Sequence, residues 1–570
     1  MPGLAGYSDR KGRLGTEPLE RMRGLLRHFS WYRDEALHDG GGFFATRTHL
    51  GAGGGEAQPA TGAGGRRAWL EGEIHNRDEL APAADRPAGD AALLLGLCRE
   101  GWSALARVDG TFCAVIVDSP ETGGRIHLVA DRHGLKPLYW ALLDGELAWS
   151  SEMKGFLGHP SFRAELDREA VHDWQAHGHL LENRSWFRGV SMVPPGTVLS
   201  WDPAHGSVGR TVYRSPERPA ALDVDVDEAG VVSELARLFR RAVARRVGTG
   251  ERLGLLLSGG LDSRAILAAM PGECPPPASF TFGQAGCDDR RIARGVARLA
   301  RTRHHEIELH GGNWLAPRVA GVWISDGGFS LLHMHGVEAA ELYRKQADVL
   351  LNGFLGDATL GGLYIDLDPR LGEAGLLRNR GRRFINQAVT LIESRVTCRR
   401  PFYDNELLER VYALPDGLRA GSKLYNRMLL ECFPRYFERI PWQKTGRPLG
   451  GGRLLNGVTA LGRRVADKLR WEMKKSGRTV RNLRGYAEYD NWIREERTMS
   501  LFRERLLARD ALYPEYLDRD AVRDELQAHE RGPDSGAEAL CRTLTFELWL
   551  QQVFEGRFRD AAELGVQGRG

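Results

Sequence analysis

Six consecutive residues, Ser258-Gly259-Gly260-Leu261-Asp262-Ser263, close the apolar run Leu253 to Leu257 and lead into a helix expected over 264–270. A buried strand that stops at a Ser-Gly-Gly turn and resumes as a helix is suited to hold a phosphate chain. Its glycines let backbone N–H groups approach the anion, and the helix N-terminus adds partial positive charge. Asp262 stands where a carboxylate can hold Mg²⁺ against phosphate oxygens. The chain contains no Gly-x-x-x-x-Gly-Lys-Ser/Thr, so this is not the Walker arrangement.

The elements around that turn alternate. A helix is expected over 226–247, with Val231, Leu235, Leu238, Phe239 and Val243 on one face. The loop strand follows it, then a buried strand over 278–283, a helix over 288–300 and a strand over 304–309. Strand–helix–strand alternation predicts an α/β doubly wound parallel sheet with ligand at the carboxyl ends of its strands. The first 200 or so residues read differently, as short strands over 68–74, 111–118, 125–130, 138–142 and 147–150, broken by Gly- and Pro-rich turns. An α+β sandwich of antiparallel sheets is expected there. The division predicted is 1–205 for the front domain, 206–227 for a linker and 228–570 for the second domain.

With 570 residues the chain has room for two or three full cores. Its 42% hydrophobic and 27% charged residues are ordinary for a globular protein. A net charge of +4 gives no argument for nucleic acid. No apolar run reaches the length of a membrane span, and the N-terminus lacks a secretory pattern. The seven cysteines are scattered without Cys-x-x-Cys spacing, which predicts reduced thiols, no zinc site and a cytoplasmic location.

The 258–263 turn resembles the PP-loop of ATP pyrophosphatases, which split ATP between the α and β phosphates and form adenylates. An ordered series extends the likeness: Met1-Pro2-Gly3-Leu4-Ala5-Gly6, Leu70-Glu71-Gly72-Glu73-Ile74-His75-Asn76, Asp109-Gly110-Thr111-Phe112, Asp131-Arg132-His133-Gly134-Leu135-Lys136-Pro137-Leu138-Tyr139 and Ser150-Ser151-Glu152-Met153-Lys154. Over nearly its whole length the chain resembles the asparagine synthetase family, whose N-terminal domain is an Ntn-type glutaminase. The likeness implies ATP and Mg²⁺ as cofactors, with Leu257, Ser258, Gly259, Gly260, Leu261, Asp262, Ser263, Phe282 and Gly353 around the nucleotide. Asp357 maps onto a second Mg²⁺-binding aspartate, and Lys444, in Pro441-Trp442-Gln443-Lys444-Thr445-Gly446, onto a lysine that stabilises charged phosphoryl and tetrahedral states.

The glutaminase chemistry is missing. The family's nucleophile is an N-terminal cysteine, and this chain has Pro2, which carries no thiol. The family's oxyanion-hole asparagine is Glu71 here, and a carboxylate repels an oxyanion. The front domain is therefore expected to be inactive, and the amine must come from elsewhere.

Phe354 occupies a position where asparagine synthetases carry glutamate and β-lactam synthetases tyrosine. Phenylalanine cannot move a proton there, so the nucleophile should arrive partly neutral. An α-amine is about a tenth neutral at pH 7, whereas a lysine amine is almost wholly protonated. The segments Asp326-Gly327, Leu331-Leu332-His333-Met334-His335-Gly336 and 441–446 resemble the lasso-peptide macrolactam synthetases, which join a core peptide's N-terminus to an Asp or Glu side chain. That likeness implies a precursor peptide as substrate, with a leader peptidase and a leader-binding protein as partners. An ammonia-dependent or β-lactam-type small-molecule synthetase, or a non-catalytic binding scaffold, are the alternatives. Asp326, His333, His335 and Phe354 are candidate substrate contacts, Asp326 also a helix cap. On a helix His333 and His335 would point about 200° apart, which argues against a metal pair. The basic stretch 463–484 reads as a solvated helix face or a landing site for an acidic partner.

Overall fold

Along the strand Gly110–Val117, Cys113, Val115 and Val117 enter one apolar cluster while Phe112, Ala114 and Ile116 enter another. A strand covered on both faces needs no polar alternation, which is why it reads as one apolar run. In the computed structural model it belongs to the first of two units, made of Met1–Arg218, Ile324–Gly328 and Arg370–Thr397. The second comprises Pro219–Trp323, Phe329–Pro369 and Cys398–Gly570. The structure describes residues 2–51, 57–82, 87, 89–215, 227–248, 250–450, 482, 484–532, 536–559 and 563. The basic stretch singled out above lies almost wholly outside them.

The first unit has two sheets whose assigned strand pairs are antiparallel. One follows the order Ser191–Met192, Tyr139–Leu143, Glu146–Ser150, Gly3–Ser8, Phe43–His49 and Arg33–Asp34, with His38–Gly40 also on Phe43–His49. The other runs Ser207–Val212, Thr197–Asp202, Ile126–Ala130, Gly110–Val117, Arg67–Ile74 and Ala60–Thr61. Leu4, Phe43, Leu147 and Trp149 from the first sheet meet Trp69, Val115, Leu128 and Trp201 from the second in one core. Helix Asp90–Cys98 covers the outer face of the second sheet, and Glu17–Leu26 packs on the first. This is the α+β sandwich expected.

Three features depart from expectation. Gly3–Ser8 is a central strand that the expected strands did not include. A Cβ on Gly6 would lie 2.2 Å from the Trp149 ring, so glycine lets the indole cross the strand. The expected linker over 206–227 begins inside the second sheet, since Ser207–Val212 pairs along Thr197–Asp202. The contiguous division also fails, because residues 324–328 and 370–397 fold with the front of the chain.

The second unit holds a five-stranded sheet in the order Arg303–Glu308, Ala278–Gly283, Leu253–Leu256, Val349–Leu351, Thr397–Arg399. The three pairings among the first four strands are parallel. Leu255 and Leu351 pack beneath the helices Glu228–Ala244 and Asp288–Ala300. Gly254 faces the other way, toward Ala347 at the end of helix Ala340–Gln346. Helices therefore cover both faces. In chain order the strands after Leu253–Leu256 run outward on one side until Val349–Leu351 is added on the other. The order reverses between these two strands, and the crevice at a reversal point is where such sheets bind ligands.

Candidate active site

The loop after Leu253–Leu256 and the loop after Val349–Leu351 both leave the sheet at that reversal. The first is shaped by its own side chains. Ser258 N donates to Ser263 Oγ at 3.1 Å, Gly260 N to Ser258 Oγ at 3.1 Å, and Gly259 N to Asp289 Oδ1 at 2.9 Å. These donors hold the turn in shape, and helix Asp262–Ala269 adds its N-terminus. Asp289 is buried, and desolvation lifts its pKa above the usual carboxylate range.

The second loop presses on the first. A Cβ on Gly353 would stand 2.9 Å from Ser263 N, and one on Gly356 would stand 2.6 Å from Asp262 Cγ. Only glycine permits that approach. Leu355, between them, takes the left-handed conformation with φ +56 that a glycine would adopt without cost. Asp357 follows, and its backbone N–H donates to Asp262 Oδ2 at 3.0 Å. Asp262 Oδ1 accepts from the Tyr425 hydroxyl at 2.9 Å. The two candidate cation ligands are thus neighbours. Burial, then the charge of Asp357, pushes Asp262 up to about 7. Partial desolvation raises Asp357 too, against the opposing charge of Lys444. Two carboxylates side by side, Asp262 half-buried and Asp357 open to solvent, fit a hard divalent cation such as Mg²⁺.

Lys444, whose charge acts on Asp357 and whose Nζ lies 5.5 Å from the Trp442 ring centroid, rides on a tight turn in which Trp442 N donates to Arg447 O at 2.8 Å, with Gly446 at φ +71. The turn docks on the phosphate loop through Gln443 N, which donates to Gly259 O at 3.1 Å. A Cβ on Gly259 would come within 2.7 Å of Gln443 Cβ, so this glycine serves the docking. Arg264 fastens both sides. Its guanidinium, fully buried, donates to Gly259 O at 3.2 Å, Pro441 O at 2.8 Å and Ile440 O at 3.2 Å. Arg264, Asp289 and Tyr425 were missed in the sequence. An arginine among the apolar residues of a short helix was the available signal for the first.

The other candidates disperse. Phe282 ends its strand half-buried, 6.5 Å from the Tyr486 ring. Phe354 is buried, its ring 5.0 Å from Tyr403 and 5.8 Å from the Arg400 guanidinium. His333 pairs with Glu538 at 2.7 Å, and His335 sits between Tyr486 and Tyr489. The helix assumed for these histidines is a single 3-10 turn, Leu331–His333, broken by Gly336 at φ +84, so their rings lie 5.9 Å apart rather than on opposite faces. Asp326 belongs to the first unit and is buried there. It accepts from Met153 N at 2.7 Å, Lys154 N at 3.2 Å and Lys154 Nζ at 3.0 Å, so it caps the 3-10 helix Met153–Gly158 rather than a helix that follows it, and it does not join the carboxylate pair.

In the first unit Glu71 accepts from Arg47 Nε at 3.1 Å and lies 3.8 Å from Lys136 Nζ. Its paired carboxylate has no hydrogen to offer an oxyanion. Glutamine with the purified protein should release no glutamate above background, and Pro2→Cys alone should not change that. Glutamate release by the single variant, followed by coupled assay, would show that another donor serves the oxyanion.

The carboxylate pair also sets a pH dependence. A carboxyl whose folded pKa lies above its unfolded value costs stability as pH rises through that interval. Without divalent cation, Asp357→Asn should therefore be more stable than the wild type at pH 8, by at most about 1 kcal/mol because Asp357 is open to solvent. At pH 5, with Asp262 already protonated, the gain should shrink toward zero. Thermal unfolding in EDTA at both values tests this, and identical melting at pH 8 would refute the repulsion.

Comparison with known proteins agrees with this arrangement. A glutamine amidotransferase domain family matches residues 1–213, and an asparagine synthase family matches 234–393. The carboxyethyl-arginine β-lactam-synthase of Streptomyces clavuligerus is 29% identical over 366 residues, 62% of this chain and 67% of its own. A glutamine-hydrolyzing asparagine synthetase of Mus musculus is 27% identical over 255 residues, 42% of this chain and 43% of its own. The matched region thus spans less than half of that relative. Among solved structures, a glutamine phosphoribosylpyrophosphate amidotransferase from B. subtilis aligns over 45% of this chain and 60% of its own at 10% identity, with a TM-score of 0.27. That likeness is too low to bear on the fold. The chain thus matches a glutamine amidotransferase family in front and an asparagine synthase family behind it, and is similar to a β-lactam-synthase and to asparagine synthetases.

Proposed function

We propose that this chain activates a carboxylate as its adenylate and transfers the acyl group to an amine, releasing AMP and pyrophosphate. The observation that carries the reading is the meeting of Asp262, Asp357 and the Lys444 turn at the sheet's reversal point. A substrate carboxylate oxygen attacks the α-phosphorus of ATP and pyrophosphate leaves. The amine then attacks the acyl carbon, loses a proton and expels AMP. Asp262 and Asp357 are the residues that would hold Mg²⁺, which supplies neutralisation of the phosphate charge. Lys444 places a point charge where negative charge develops, and its contribution belongs to the transition state.

The substrate in this reading is a ribosomally made peptide closed into a macrolactam, its N-terminal amine joined to an Asp or Glu side chain. Three things support it: Pro2 and Glu71 leave no route to ammonia from glutamine, Phe354 offers no proton acceptor, and an α-amine is partly neutral without help. A leader peptidase and a leader-binding protein would have to supply the free N-terminus. The second reading, a small-molecule amide synthetase, draws on the 29% identity to the β-lactam-synthase. Pyrophosphate–ATP exchange tests adenylation; ADP and phosphate as products would refute it. Mass spectrometry of core peptides with enzyme, ATP and Mg²⁺ tests the substrate. Loss of one water with a blocked N-terminus is expected, and amide formed solely from added ammonia would favour the second reading.

A further inference from the structure

A chain of hydrogen-bonded side chains ends at the carboxyl edge of the parallel sheet. Arg318, fully buried, pairs with Glu338 at 2.6 Å and donates to the carbonyls of Leu331 and Leu332 at 2.9 and 2.8 Å. Nη2, the nitrogen of that pair, also donates to the Tyr489 hydroxyl at 2.8 Å. Tyr489 Oη lies 3.2 Å from His335 Nδ1, and His335 Nε2 lies 3.0 Å from Tyr486 Oη.

The direction of these bonds is fixed. A guanidinium can only donate, so Tyr489 accepts from Arg318. The hydrogen of Tyr489 then has His335 Nδ1 as its acceptor; any other orientation encloses a hydroxyl hydrogen without a partner, at about 1–3 kcal/mol. Enclosure between the tyrosines, then the charge of Arg318, lowers the His335 pKa well below the usual histidine range, so the ring is neutral. A neutral imidazole that accepts at Nδ1 carries its hydrogen on Nε2 and gives it to Tyr486 Oη. Tyr486 is left with one hydroxyl hydrogen, and among the described residues no acceptor takes it. The same charge that keeps His335 neutral stops it from storing a proton. The relay transmits hydrogen-bond polarity.

Tyr486 is held at the sheet edge by backbone. Gln284 N donates to Tyr486 O at 2.8 Å, Gln284 Nε2 to the carbonyls of Asn482 and Gly485 at 2.7 and 2.6 Å, and Asp288 N to Arg484 O at 3.1 Å. Its ring stands edge-on to Phe282, the last aromatic of its strand. The register pairs Leu256 with Phe280, and Leu257 O accepts from the Thr281 hydroxyl, so the phosphate loop leaves its strand beside the neighbouring strand end that carries Phe282. A nucleotide whose phosphates lie on the loop therefore has its base on the Phe282 and Tyr486 side.

We infer, resting on the ATP reading above, that the Tyr486 hydroxyl donates to a ring-nitrogen acceptor on the base of bound ATP, with Arg318, Tyr489 and His335 fixing it as a donor. Mg–ATP and Mg–tripolyphosphate, titrated calorimetrically against the full chain, separate this from a role in folding alone. Tyr486→Phe should weaken Mg–ATP binding about 3- to 10-fold, the scale of one net hydrogen bond, and leave tripolyphosphate affinity unchanged. His335→Leu, which breaks the relay one step earlier, should show the same selectivity. Unchanged ATP affinity in Tyr486→Phe overturns the inference while leaving the ATP reading intact, as does equal weakening of both ligands. A wild-type protein that binds no Mg–ATP overturns both.

Discussion

Lys444→Ala should lower turnover by about 10²- to 10³-fold, the usual loss for one electrostatic donor aimed at developing charge. Mg–ATP should still bind, because the turn that carries Lys444 docks through backbone groups of Gln443 and Gly259 and leaves the Asp262–Asp357 pair intact. Lys444→Arg restores the charge without its compactness, and should recover only part of the rate. Single-turnover assays on the variants separate the binding and chemical steps. Near-normal turnover in Lys444→Ala would place the transition-state charge elsewhere.

Arg264→Ala should cost about 3–5 kcal/mol of stability, as expected when a buried charged donor that satisfies several groups is removed. No carboxylate pairs with Arg264 among the described residues. Burial pulls its pKa down to about 10, and its role is to satisfy carbonyls and lie over Phe437, 5.5 Å from the ring centroid. Its loss orphans Pro441 O and Ile440 O together and leaves Gly259 O with the Gln443 N–H alone. Turnover should fall further than the folded fraction explains, because Lys444 loses the anchor of its turn. Denaturant unfolding measures the first effect. Proteolytic nicking within 441–447, measured below the unfolding transition, measures the second; an unaltered digestion pattern would separate Arg264 from that turn.

Most of the second unit was legible because its signals are local. Residues 278–283 and 288–300 fold with the bounds expected, and the apolar face of Glu228–Ala244 is the one its periodicity marks. The front strands over 68–74 and 111–118 lie within one residue of Arg67–Ile74 and Gly110–Val117. What escaped is set by partners far off in sequence. Gly3–Ser8 is a strand because Trp149 and Phe44 flank it, and glycine propensity says the opposite. Asp326 sits amid residues of the second unit in sequence, yet Lys154 claims it. Carboxylate spacing alone could not bring Asp262 to Asp357; the reversal of strand order does. Arg264 and Tyr425 act on groups that meet only after folding.

The membership of residues 324–328 and 370–397 in the first unit carries a consequence for synthesis of the chain. Tyr32, Leu135 and Lys136 find their partners in Ser394, Asn386 and Glu393, so the front sandwich is incomplete when its own contiguous sequence has been made. At ribosomal rates of about 5–20 residues per second, the wait between residues 218 and 397 is roughly 10–35 seconds. During that interval the Leu135 carbonyl lacks the Asn386 amide and Lys136 lacks Glu393, and four strands of the second unit's sheet emerge before the first unit can close. The two units therefore mature as one translation product, and a fragment ending at residue 218 would carry a permanently unfinished face.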